Sequence, residues 1–275
     1  MLLTQAPSDA RVRLVDTHVH LDRCAHEGSS ETPWARAQQL GVVAALAVGV
    51  APGEWDATIA AARAARGVSI ALGIHPQVVP SLDDDALARA LSALPDRLRA
   101  CSAVAIGECG LDLPAGDLDR QRRALLAQLD VARACHLPVS LHVFRAHPAM
   151  LELLRDLGPL PAGGVVHSYS GSAELVRSYL AAGLSISFAG AITRSNARKP
   201  LLAARAVPPE HLLIETDAPY QPAGPDARDR KEGGPGDLPQ ILAALAAARG
   251  DDPNALAETT TANALRIYRG LQPTR

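Results

Sequence analysis

The sequence predicts a single-domain α/β protein spanning residues 1–275, a (β/α)8 barrel of the TIM type. Eight short apolar or β-branched runs alternate with longer stretches of helical periodicity. The chain has 275 residues, close to the ~250 usual for eight β/α units. Histidines and carboxylates stand at the C-terminal ends of the runs, the face on which such barrels carry their chemistry.

Expected strands cover residues 12–16, 42–48, 68–73, 102–107, 138–142, 164–167, 184–187 and 212–215. Ser81 with Asp83 and Asp84 opens a helix whose first turn is acidic. Leu118, Leu125, Leu129 and Ala132 recur at helical spacing. Asp252 before Pro253 is an N-cap followed by proline at the first helical position, opening a last helix to about Tyr268. Residues 220–236, rich in Pro, Gly, Asp and Arg, form a long loop after strand eight, and loops of this length are often functional.

Composition narrows the function. Hydrophobic residues are 48 % of the chain, enough for a large core. No apolar run reaches the ~18 residues of a membrane span, and the N-terminus lacks a signal-peptide pattern. A soluble, cytoplasmic protein acting as a monomer is expected. Cys24, Cys101, Cys109 and Cys135 show no CxxC spacing and suggest no disulfide framework. Net charge is −2, so no global basic field attracts nucleic acid. With two Trp, four Tyr and two Phe, an extended base-stacking surface is not expected. A nucleic acid would be held by a few arginines and by a metal site.

The metal site is the sharpest reading. His18 and His20 are two residues apart, so an extended strand turns both to one side. His75 follows strand three and Glu108 strand four. His142 ends strand five, His167 ends strand six, and Asp217 follows strand eight. Four histidines and two carboxylates (His18, His20, His142, His167, Glu108, Asp217) exceed the needs of one metal with an open position. They suit two divalent ions sharing a bridge. Glu108 is the expected bridge, with His18, His20 and Asp217 on one ion and His142 and His167 on the other. Asp16, Asp22 and Asp112 are candidates to orient imidazoles. His26, His136, His147 and His211 receive no role. Oxygen and nitrogen donors of this kind accept Mg, Mn, Zn or Co.

The motifs DTHVHLD, GIHP, GECGLD, PVSLH, HSYSG, ETDAPY and TTTANALRIY occur in this order over residues 12–268. Jointly they resemble the TatD family of metal-dependent deoxyribonucleases, within the amidohydrolase-like barrels. The resemblance implies a distorted (β/α)8 barrel, a divalent metal site and hydrolysis of DNA phosphodiesters, commonly from the 3′ end. It implies the same six ligands. Family members often carry His-x-Arg-Asp after strand five, whereas Phe144 stands at that Arg position and Arg145 follows it. Leu113 stands where many of these DNases have Tyr. The usual Arg-Asn-Glu-Pro segment is replaced by the segment from Arg230 to Pro235. Hydrolysis is therefore better supported than DNA as substrate.

Three functions compete. The first is a nuclease acting on single-stranded or frayed 3′ DNA ends. The second is a small-molecule hydrolase cleaving a phosphoester, amide or lactone on the same metals. The third is a non-catalytic binding protein, which a complete ligand set disfavours. A carbamylated-lysine bridge is also disfavoured, because the only lysines are Lys199 and Lys231. Asp217 is expected to double as general base. Arg145, Arg194 and Arg228 or Arg230 are candidates to orient a phosphate, as are His75 and Ser170, the latter just before a helix. Tyr169 and Tyr220 are candidates to meet a base.

Overall fold

The computed structural model describes residues 12–24, 31–224, 227, 229–274. His26 and Arg228 lie outside the described residues. Eight strands, β1 (Leu14–Val19), β2 (Val42–Gly49), β3 (Val68–Leu72), β4 (Ala105–Asp112), β5 (Val139–Phe144), β6 (Gly164–Val166), β7 (Leu184–Phe188) and β8 (Leu212–Ile214), form one parallel sheet in sequence order. Helices alternate with them: α1 (Pro33–Gln39), α2 (Trp55–Ala64), α3 (Asp84–Cys101), α4 (Leu118–Cys135), α5 (His147–Leu157), α6 (Ala173–Ala181), α7 (Arg198–Ala206), α8 (Leu238–Arg249) and α9 (Pro253–Ile267). The barrel is as predicted. None of these helices is long and apolar enough to cross a membrane, and the four cysteines are all free thiols.

Caps explain several helix starts. Asp83, not Ser81, caps α3 by accepting the Ala86 N–H at 2.6 Å; Ser81 belongs to the short 3-10 turn before it. Asp252 accepts the N–H groups of Asn254 and Ala255, both at 3.0 Å, so α9 starts where the Asp-Pro pair predicts.

Two layers of core hold the barrel. The larger lies between strands and helices. The smaller joins Val15, Ala44, Ala71, Ala105, Val165 and Leu213 to Tyr268 and Leu271 beyond α9. Side chains from strands this far apart can meet only inside the barrel. The alanines leave room for the Tyr268 ring, which plugs it.

β8 and β1 close the circle differently from the seven neighbouring pairs that form ladders. Asp217 N–H donates to His18 O and His20 N–H to Ala218 O, both at 2.9 Å. Asp16 accepts from Thr216 N–H at 3.0 Å and from its hydroxyl at 2.6 Å, and Thr17 donates to Ile214 O at 3.0 Å. Two backbone bonds and these side chains together supply what a ladder supplies elsewhere, and the seam carries Asp217 directly beside His18 and His20. Burial pushes the Asp16 carboxyl up to about 7, with the Thr216 hydrogen bonds pulling against it.

Two strands differ from the sequence reading in a way that matters. β4 and β5 run past Glu108 and His142 rather than ending at them, because their pairing resumes at Cys109↔Leu141 and continues to Asp112↔Phe144. Between Ile106↔Val139 and Cys109↔Leu141, β4 carries one residue more than β5. That bulge holds Glu108, and a bulge re-aims a side chain. Glycine is required on both sides of it. A Cβ on Gly107 (φ +140°) would sit 2.5 Å from Ser140 O, and one on Gly110 (φ +154°) 1.9 Å from His142 O.

Candidate metal centre

Glu108 lies at the middle of the cluster, and its two oxygens face different partners. Oε2 is 3.3 Å from His18 Nε2 and 3.6 Å from His20 Nε2. Oε1 is 2.7 Å from His167 Nε2, 2.8 Å from His142 Nδ1 and 3.0 Å from His75 Nε2. Asp217 Oδ1 joins the first group, 3.4 Å from His20 Nε2 and 3.9 Å from His18 Nε2. The structure therefore brings together all six residues predicted as ligands. Three sets are compact enough to hold a cation: His18, Glu108, His167; His18, His20, Asp217; and His75, Glu108, His142.

The far side of each ring decides what its near side offers. His20 Nδ1 lies 3.0 Å from Val48 O, and a carbonyl only accepts, so Nδ1 carries the proton and Nε2 presents a lone pair inward. His142 turns its Nδ1 inward, 2.8 Å from Glu108 Oε1, with Asp112 Oδ2 at ion-pair distance behind the ring, 3.3 Å from Nε2. Glu215 Oε1, 3.3 Å from His167 Nδ1, follows the rule seen at His20 and leaves His167 Nε2 as the inward lone pair. His18 Nδ1 meets the Ser140 hydroxyl at 2.9 Å, which can accept in the same sense, and His18 Nε2 is buried without a hydrogen-bond partner. His75 is reversed. Its Nδ1 accepts the Gln77 N–H at 3.1 Å, so its proton is on Nε2, aimed at the centre.

Imidazole nitrogens packed this closely around buried carboxylates require positive charge between them, either protons or a metal cation. The titration directions show the demand. Burial pulls His20, His142 and His167 down, but Asp217 for His20, Asp112 for His142 and Glu108 for His167 outweigh it, and all three end above the ordinary histidine value. Burial pushes Glu108 up, yet the surrounding histidines hold it well below the usual carboxylate range. Asp217 is likewise lowered, against burial, by His20 first and then His167 and His18. His18 and His75 are depressed by burial. The donor set fits hard-to-borderline divalent cations.

Sequence reasoning missed several supporting residues. Glu215 is fully buried, accepts from Ser168 N–H and the Ser187 hydroxyl, and holds His167. A carboxylate ending the apolar run Leu212-Leu213-Ile214 was the available signal, since such a group needs donors. Gln221 Nε2 donates to Asp217 Oδ2 at 2.7 Å and to the Ser168 hydroxyl. Ser140 and Gln77 gave no signal. Among the aspartates proposed to orient imidazoles, Asp112 lies at ion-pair distance behind His142, 3.3 Å from its Nε2. Asp16 instead binds backbone, including His18 N–H at 3.2 Å. Asp22 Oδ1 is buried without a hydrogen-bond partner.

The cleft above the cluster has two lobes that meet at His142, His167 and Asp217. The first, about 530 Å³, is walled by Val50, Ala51 and Val78 with Arg23, Glu54 and Tyr220 at its edge. The second, about 390 Å³, is lined by Phe144, Ser168, Tyr169, Ser170, Arg194 and Gln221. Tyr220 is 53 % exposed and its hydroxyl is bound by Arg23, which also pairs with Glu54. Tyr169 is a core residue whose hydroxyl donates to Ser172 O at 2.8 Å, so its ring is held by packing. Arg145 lines neither lobe; its guanidinium lies over Phe144, 5.4 Å from the ring centroid. Arg230 is tied to Asp237 at 2.8 Å and Ala223 O at 3.1 Å, a structural position away from the centre. Ser170 donates to Val143 O at 3.4 Å from within the second lobe. The described histidines left without a role stay outside the cluster: His136 caps α4, His147 meets the Tyr179 hydroxyl and His211 meets Ser185.

A barrel with this strand-end cluster defines a metal-dependent hydrolase acting on ester bonds. Within that class the chain belongs to the TatD related DNase family, whose model matches residues 15–269. The 3'-5' ssDNA/RNA exonuclease TatD of Cronobacter sakazakii is 37 % identical over 245 residues, covering 85 % of this chain and 89 % of that protein. YjjV of Escherichia coli, described as an uncharacterized metal-dependent hydrolase, is 34 % identical over 212 residues, covering 76 % and 81 %. The crystal structure of the Escherichia coli YjjV, a TatD homologue, superposes with a TM-score of 0.84 at 31 % identity, covering 94 % of this chain and 98 % of that one. The family resemblance read from the motifs is confirmed.

Proposed function

We propose that the protein is a 3′-to-5′ exonuclease that uses two divalent ions, Mg, Mn or Zn, to hydrolyse phosphodiesters at single-stranded or frayed DNA ends. The observation that carries this reading is the division of Glu108, one oxygen toward His18 and His20, the other toward His142 and His167. His18, His20 and Asp217 would hold one ion, His142 and His167 the other, and Glu108 would touch both. The exonuclease names of relatives support nucleic acid as substrate. The ligand set is complete within one chain, so the site itself needs no second copy, in keeping with a monomer.

When bound, such ions supply Lewis-acid charge to a phosphoryl group and make water a better nucleophile. The chain's own residues do the rest. Asp217 is buried, and Gln221 fixes its Oδ2 while Oδ1 faces the cluster. Its carboxylate is therefore ionised and positioned to take a proton from an attacking water at Oδ1. His75 presents an Nε2–H toward the same centre and would donate to a phosphoryl oxygen. The two lobes hold the nucleotides on either side of the scissile bond, so binding involves few phosphates and a shallow salt dependence follows.

The test is a metal-reconstituted assay on 3′- and 5′-labelled single- and double-stranded DNA, beside a panel of phosphoesters, amides and lactones. Stepwise loss of nucleotides from single-stranded 3′ ends is expected. Intact DNA with efficient turnover of a small ester would replace this reading with the small-molecule one.

A further inference from the structure

The two lobes differ in charge. In the first, the arginine at the edge is already neutralised: Arg23 is paired with Glu54 and bound to the Tyr220 hydroxyl. In the second, Arg194 is the only lysine or arginine among the described lining residues, is exposed, and forms no ion pair with any described carboxylate. The only carboxylate among the described residues lining that lobe is Asp217, which Gln221 and the histidines hold toward the centre. Gln221 is itself committed to Asp217 and Ser168, and the Ser170 hydroxyl to Val143 O. Among the described residues lining the two lobes, Arg194 is thus the uncommitted cation.

A chain cut near its 3′ end presents two unlike neighbours to the scissile phosphate. The terminal nucleotide ends in a free 3′-hydroxyl and carries no further charge. The nucleotide on the other side continues through another phosphate at its 5′ position. A cleft with one neutral and one cationic lobe distinguishes them, because guanidinium pairs with phosphate in charge-assisted, often bidentate geometry. Resting on the nuclease reading above, we propose that the Arg194 lobe is the subsite for the nucleotide upstream of the scissile bond, and that Arg194 binds the phosphate on its 5′ side. The terminal nucleotide then occupies the Arg23–Tyr220 lobe. Phe144, 40 % exposed on the wall of the Arg194 lobe, offers the upstream base a flat apolar face. The direction of the strand across the cleft, and with it the choice of the 3′ end, follows from this asymmetry of charge.

The test compares two thymidine dinucleotides that share the same phosphodiester, one with and one without a 5′-phosphate. In the metal-loaded protein the 5′-phosphate should lower KM by roughly three- to tenfold, the size expected of one exposed charge-assisted contact. Arg194→Ala should bring the two substrates together, and Arg194→Lys should keep part of the difference. Equilibrium binding of the same pair to the Asp217→Asn protein gives the comparison without turnover. Equal KM values in the wild-type protein overturn the proposal, as does a phosphate advantage that survives Arg194→Ala. Failure to cleave either dinucleotide, or any DNA end, overturns the nuclease reading itself and this inference with it.

Discussion

At the residue scale, the proton position on each imidazole separates ligand from donor. His20 and His167 are backed by acceptors and turn lone pairs inward, whereas His75 is backed by an N–H and turns a proton inward. His75→Asn should therefore keep full metal content by elemental analysis while kcat falls ~10²-fold, the usual loss for one preorganised donor. His167→Asn should lose metal and activity together. Glu215→Gln weakens the grip on His167 Nδ1–H, and metal affinity should drop ~10–100-fold, as for other residues that orient a ligand. The pH dependence follows from the raised values of His20, His142 and His167. Without metal, their protonated forms stabilise the fold fully below the unfolded histidine value, and that contribution is lost as pH rises through the raised folded values. A cation must displace those protons. Metal affinity should thus climb with pH from about 6 to about 8, with proton release visible as a buffer-dependent binding enthalpy. An affinity indifferent to pH over that range would contradict this account of the histidines. The six proposed ligands were legible because each stands in a spaced motif, four of them at or just past a strand end. Glu215 was not assigned because its role depends on Ser168 and Ser187, which only the fold brings near.

At the element scale, the β4 bulge is the device that turns Glu108 into the centre. Strand existence was legible from apolar runs, but the bulge was not, since it is a mismatch between two strands rather than a property of either. This is also why β4 and β5 were read as ending too early. Gly110→Ala places a methyl against the carbonyl of His142 and forces φ away from +154°. It should destabilise the protein by more than ~1 kcal/mol in chemical denaturation and displace His142, lowering metal affinity. A variant with wild-type midpoint and wild-type affinity would show that the close approach of β4 and β5 is not needed. Arg230 was unreadable for a similar reason. It sits in a loop rich in charge, and only the folded loop shows that Asp237 claims it.

At the scale of the whole molecule, the site doubles as the closure of the barrel. β8 and β1 are joined beside the cluster by Asp16, Thr216 and two backbone bonds from Asp217 and His20. Removing the Asp16 carboxylate leaves Thr216 N–H and His18 N–H without their acceptor. Asp16→Ala should cost about 2–4 kcal/mol in unfolding free energy and impair metal binding, although Asp16 touches no imaginable ion directly. Because the cations would bind side chains from five strands and no unfolded chain offers that set, metal should raise Tm in proportion to the logarithm of its concentration. Glu108 would join two cation sites, and the stoichiometry of metal binding reports on that arrangement without an intermediary. Titration of metal-free protein with Mn or Zn, read by calorimetry and by elemental analysis after dialysis, should give two ions per chain, with Glu108→Ala losing affinity for both. A single ion per chain, or two ions held unchanged without Glu108, would contradict it.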